Sequence, residues 1–132
     1  MGVPRLSPVT SLVLPLETRH LTGGAGLSEF IEKLRLLVSA GDVRISEHGY
    51  DELAEDGLTA KEVIDGIVDA QVIEEYPSYP KGPCVLVLQR DRLGQPIHVV
   101  WGIPRGHDKP AVLITAYRPD PERWDEAFIR RR

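Results

Sequence analysis

The hydrophobic period of this chain changes once, near Gln71, and that change limits the fold more than any other feature. Before it, apolar residues recur at helical spacing. Phe30, Ile31, Leu34, Leu37 and Val38 form one stripe, with Ser28 as N-cap and Gly41 as the stop. A second helix is predicted over residues 47–55, capped by Ser46 and ended by Gly57, with Tyr50, Leu53 and Ala54 as its apolar side. Thr59-Ala-Lys-Glu62 is a capping box, in which hydroxyl and carboxylate each satisfy an amide that the helix leaves orphaned. Val63, Ile64, Ile67 and Val68 supply the buried face of that third helix.

After Gln71 the period is two, and strands are predicted over residues 72–76, 84–90, 97–103 and 111–118. Parallel neighbours need a crossover of about a dozen residues or more. The last three strands are joined only by Asp91-Arg-Leu-Gly94-Gln95 and by the 104–110 loop, so they must run antiparallel. Asp120-Pro121 then reads as an N-cap followed by a first-turn proline, opening a last helix that Trp124 and Phe128 pack onto the sheet. The expected fold class is α+β: N-terminal helices on a roughly four-stranded antiparallel sheet, with a short C-terminal helix. Prolines 4, 8 and 15 and the Gly23-Gly24-Ala25-Gly26 run mark residues 1–26 as a disordered leader, leaving 27–132 as one domain.

Composition narrows the function classes. The single Cys84 rules out an intrachain disulfide and a Cys-paired zinc site, and reads as an inert strand residue of a cytoplasmic protein. No segment reaches the ~18 consecutive apolar residues of a membrane span. The net charge of −4 argues against tight nonspecific binding to nucleic acid, whose affinity comes largely from cations displacing counterions. Neither HxxxH nor HExxH spacing occurs, so no metal is expected, and no cofactor motif is present.

Alternation separates two faces of the sheet. Cys84, Leu86, Leu88, Ile97, Val99, Trp101, Val112, Ile114 and Ala116 are all apolar and are expected to face the helices. The opposite set holds Val85, Val87, Val100 and Leu113 with the polar residues Gln89, His98, Thr115 and Tyr117, a face suited to a ligand. His98 on that face, and His48 one helical turn before Glu52, are the candidate acid and base, because imidazole exchanges protons near neutral pH. Glu52 would orient His48 and raise its basicity; Arg44 or Arg90 would neutralise a phosphate. Both histidines stand off the apolar stripes as read here. Their truncation is therefore expected to cost within about 0.5 kcal/mol of stability.

Arg44-Ile-Ser-Glu-His48 opening a helix, Val72-Ile-Glu-Glu-Tyr76, Pro83-Cys-Val-Leu-Val-Leu88, Pro96-Ile-His-Val-Val100 and Thr115-Ala-Tyr-Arg-Pro-Asp120 with Trp124 form a combined pattern. It resembles a bacterial family of uncharacterised function over the last two-thirds of the chain. Related members are placed with the RelE-like and barnase-like (BECR-type) endoribonuclease toxins. Carried over by position, His48, His98, Thr115 and Tyr117 fall at the polar places of the pattern. The resemblance implies a toxin-like, metal-independent endoribonuclease acting on RNA. The competing expectation is a non-catalytic module whose mixed sheet face binds an antitoxin or another protein partner.

Overall fold

In a computed structural model, residues 20–21 and 25–132 are described. The chain runs β1 (His20–Leu21), α1 (Ala25–Ser39), β2 (Val43–Ile45), α2 (Glu47–Glu55) and α3 (Ala60–Asp65), the last tightening into a 3-10 turn over Gly66–Asp69. Then follow β3 (Gln71–Tyr76), β4 (Cys84–Arg90), β5 (Pro96–Gly102) and β6 (Ala111–Tyr117). The class is α+β as expected, with the helices preceding the main strands. The predicted caps hold: Ser46 accepts the Gly49 amide at the start of α2, and Thr59 and Glu62 close the capping box of α3. Gly41, at φ 81°, lets the amides of Gly41 and Asp42 return to the carbonyls of Val38 and Leu37 at the end of α1.

Among the described residues the sheet has the order β1-β3-β4-β5-β6-β2. Neighbours are antiparallel except β2, which runs parallel to β6 with Arg44 opposite Val112. The expected four antiparallel strands are therefore the middle of a mixed sheet. Three residues of β2 are too few to display a period, and its partner lies nearly seventy positions away in the sequence. His20 and Leu21 pair with Glu75 and Glu74 at the other edge, and α1 begins at Ala25 rather than beyond Ser28. The rest of the stretch expected to be a leader, residues 1–19 and 22–24, lies outside the described residues.

Alternation holds within strands, but the grouping between strands differs from expectation. Residues paired across a ladder share a face, and Leu88 pairs with His98 while Val87 pairs with Val99. Hence Val85, Val87 and Gln89 join Ile97, Val99 and Trp101 under the helices, packed with Ile31, Leu34, Leu53 and Val63. Cys84, Leu86, Leu88, His98 and Val100 face the other way. In β6 a bulge leaves Ile114 as the extra residue, so Leu113 and Ala116 both reach the helix side and Thr115 does not. The stripe of α2 is also rotated from the one expected. Gly49, Glu52 and Leu53 are buried, whereas Tyr50 is 60% exposed.

The second face is buried too, and the predicted C-terminal helix is absent. Residues 120–132 instead form an irregular strap. One turn does form at Asp120, whose carbonyl accepts the amides of Arg123 and Trp124 at 2.9 and 3.2 Å. Asp125 then diverts the chain. Its carboxylate accepts the amides of Ile129 and Arg130 at 3.1 and 3.3 Å, and its own amide donates to the Arg130 carbonyl at 2.8 Å. A short acid competing for backbone donors breaks the helical ladder. The reversal, with Phe128 at φ 60°, bridges Trp124 to Arg131. Trp124 packs with Ile73, Leu86, Leu88 and Val100, and Arg131 lies 4.7 Å over the indole while bonding Glu74 at 2.9 Å. Trp124→Ala should lower stability by about 3–5 kcal/mol in urea melts. A loss below about 1 kcal/mol would mean that the strap does not belong to the core.

Candidate functional site

One end of the sheet stays open. There β2, the first turn of α2 and β6 meet the β3–β4 loop and the end of β5, around a cleft of about 480 Å³. Its polar lining is Arg44, Ser46, His48, Tyr79, Lys81 and Thr115. Pro83, Ile103, Val112 and Ile114 provide apolar walls.

Each side of the cleft is held by a local cause. Ser46 is doubly used: its hydroxyl accepts the Gly49 amide at 3.0 Å and donates to the Ile114 carbonyl at 2.7 Å. Its own amide donates to the Leu113 carbonyl at 3.0 Å. The N-terminus of α2 is thereby bolted to β6 at the bulge. Gly49 permits that approach, since a Cβ there would stand 3.0 Å from both the Leu113 carbonyl oxygen and an Ile45 methyl. Across the cleft, Gly82 has φ 136° and sits directly against the Ile103 carbonyl, where no side chain fits. Around it the Ile103 amide bonds Pro83 at 3.1 Å and the Arg105 amide bonds Lys81 at 3.0 Å. This stitching fixes the loop that carries Tyr79 and Lys81.

The lining holds an arginine, a lysine and a histidine and no aspartate or glutamate. In a chain of net charge −4 this is a local reversal of sign, and a cleft concentrates such a field. At the start of α2 the Gly49 amide is taken by Ser46, which leaves the Glu47 and His48 amides as helix-start donors, and the exposed Glu47 carboxylate stands on the same turn outside the lining. At the buried end, Thr115 is 0% exposed and its hydroxyl has no hydrogen-bond partner.

Of the residues singled out from sequence, Arg44, His48 and Thr115 meet in this cleft, and the others stand elsewhere. Glu52 is on the buried side of α2, away from the lining. Gln89 is a core bracket under the helices, donating to the Val63 carbonyl at 2.7 Å and accepting the Trp101 indole N–H at 2.9 Å. Arg90 is exposed by the β4–β5 hairpin, 3.4 Å from the Gly94 carbonyl. His98 and Tyr117 lie beneath the C-terminal strap. The two histidines therefore share no cleft, and His98 has no access to a substrate held beside His48. Lys81 and Tyr79 were not among the candidates drawn from the sequence. The available signal was a lysine and an aromatic in the same proline- and glycine-rich loop, a composition that suits a rigid binding loop as well as a connector.

Cys84 is inert: burial pushes its thiol up to about 12. Among the described residues no group of three or more His, Cys, Asp or Glu side chains could hold a metal ion, and no helix is long and apolar enough to cross a membrane.

The model of a family described as a domain of unknown function (DUF4258) matches residues 45–118. The match takes in His48, Lys81 and Thr115 and stops one residue short of Arg44. No curated protein and no solved structure matches the chain.

His98 has its own chemistry. Its Nε2 is 2.7 Å from the Phe128 carbonyl, which can only accept, so Nε2 carries the proton. Nδ1, 3.2 Å from the Tyr117 hydroxyl, then accepts from it. The Trp124 ring closes edge-on at 4.4 Å. Burial drives the imidazole down to about 4, because this apolar seat disfavours the imidazolium. The unfolded chain binds that proton near pH 6.5 and the folded chain does not, so the stabilisation is complete above about 6.5. It declines as pH falls from 6.5 toward 4, by roughly 2–4 kcal/mol in all. His98→Gln should flatten this slope in melts between pH 4 and 7. It should also cost roughly 1–3 kcal/mol at neutral pH, rather than the ~0.5 kcal/mol of a solvent-facing position.

Proposed function

The chain belongs to the DUF4258 family of domains of unknown function, and within that family we propose that it acts as a toxin-like endoribonuclease whose scissile phosphate sits in the Arg44–His48–Lys81 cleft. The observation that carries this reading is the carboxylate-free, cationic lining around a single exposed imidazole. Such a site suits a polyanion better than a cation, and suits transesterification better than metal-assisted hydrolysis, which needs acidic ligands. The resemblance to RelE-like and barnase-like toxins points the same way.

The chemistry needs no second histidine. His48 takes the proton of a ribose 2′-hydroxyl, and the 2′-oxygen attacks the adjacent phosphorus. The bond from phosphorus to the 5′-oxygen breaks, giving a 2′,3′-cyclic phosphate and a free 5′-hydroxyl. The Lys81 ammonium supplies the proton that the leaving oxygen takes up. Arg44 and the first-turn amides of α2 stabilise the added negative charge in the transition state.

Purified protein should cut single-stranded RNA equally with and without EDTA, and should leave an oligonucleotide with 2′-deoxyribose throughout intact. His48→Ala should lower the rate by about 10²–10⁴-fold, with a urea midpoint unchanged within about 0.5 kcal/mol. If RNA survives prolonged incubation with the protein, the ribonuclease reading fails and the cleft is a partner-binding surface instead.

A further inference from the structure

Thr115 lines the cleft and has no part in the proposed cleavage. Its hydroxyl is buried, it lines the cleft, and no protein group bonds it. A buried hydroxyl without a partner is a standing loss in the free protein, and a ligand that supplies the bond removes it. The Ser46 hydroxyl differs in being already engaged, donating to the Ile114 carbonyl and accepting the Gly49 amide.

What surrounds Thr115 indicates the kind of group. Val112, Ile114, Ile103 and Pro83 make the inner wall apolar, while Arg44 and Lys81, both exposed, place the charge at the rim. The phosphate therefore belongs outside and a flat, mostly apolar body with polar edges inside. Tyr79 adds a half-buried ring at the entrance, suited to stacking. The cleft volume of about 480 Å³ is in the range of small-ligand pockets, ample for one nucleotide and far too small for a duplex. Resting on the ribonuclease reading for its choice of ribonucleotide, we infer that the cleft takes one unstacked nucleotide of a single-stranded RNA. Its base lies against the apolar wall with an edge bonded to the Thr115 hydroxyl, and its 3′-phosphate sits between Arg44 and Lys81. Cleavage is then base-selective, and Thr115 is a specificity-determining residue rather than a catalytic one.

The test uses the four nucleoside 3′-monophosphates and inorganic phosphate, titrated calorimetrically into the full chain. At least one nucleotide should bind more tightly than phosphate. Thr115→Val should weaken that nucleotide by roughly three- to tenfold, leave inorganic phosphate unchanged and keep or raise the urea midpoint. Thr115→Ser should restore the affinity, and Arg44→Ala should weaken nucleotide and phosphate alike. A Thr115→Val protein that melts earlier would make the hydroxyl structural and overturn the inference. Equal affinity of variant and wild type, or no preference for any nucleotide over phosphate, would overturn it as well. Failure of the two readings is distinguishable. Base-selective binding without RNA cleavage sinks the ribonuclease reading alone, whereas cleavage that is indifferent to base and to Thr115→Val sinks the pocket alone.

Discussion

Burial of both faces of β4, β5 and β6 is the constraint on which the rest of this structure depends. A sheet with one wet face needs a single covering layer, but these strands carry apolar residues in both alternating sets and need two. The helices supply one cover through Ile31, Leu34, Leu53 and Val63, and the C-terminal strap supplies the other through Trp124, Phe128 and Ile129. With both faces closed, a concave surface is left at the end of the sheet between α2 and the β3–β4 loop, and Arg44, His48 and Lys81 line it.

Enclosure also sorts the polar residues. Gln89 and His98 are wholly buried, and each has its polar atoms engaged, one bracing α3 to Trp101 and the other tying the strap to β6. Glu74 joins Tyr76 and Arg131 under the same strap. These side chains are polar because a core built from helices, sheet and an irregular strap has backbone carbonyls that need donors. Thr115 departs from the pattern, since it is as deeply buried and bonds nothing.

Much of the fold was legible in the chain. The capping box at Thr59, the Ser46 cap and the period-two segments gave element boundaries close to those observed, because each depends on neighbours within a few residues. The site was only half legible. Arg44 and His48 could be placed together because five residues contain both, and Thr115 followed from its position in the pattern. Lys81 could not be joined to them, since a proline-rich loop carries no period from which its direction could be read.

What the sequence determined by itself was local: which segments are helix or strand, where they stop, and that the last three strands run antiparallel. Only the tertiary structure decided which set of side chains meets the helices. One residue of register exchanges the two faces of a strand, and the bulge at Ile114 exchanges them again within β6. His98 keeps the face opposite the helices, as expected, and it is the strap covering that face that turns its place into a sealed seat. The strap itself was undecidable locally. Asp120-Pro121 starts a helix as well as any such pair, and Asp125 ends it, because the bonds that Asp125 makes hold only where Trp124 and Arg131 already have a sheet to pack on.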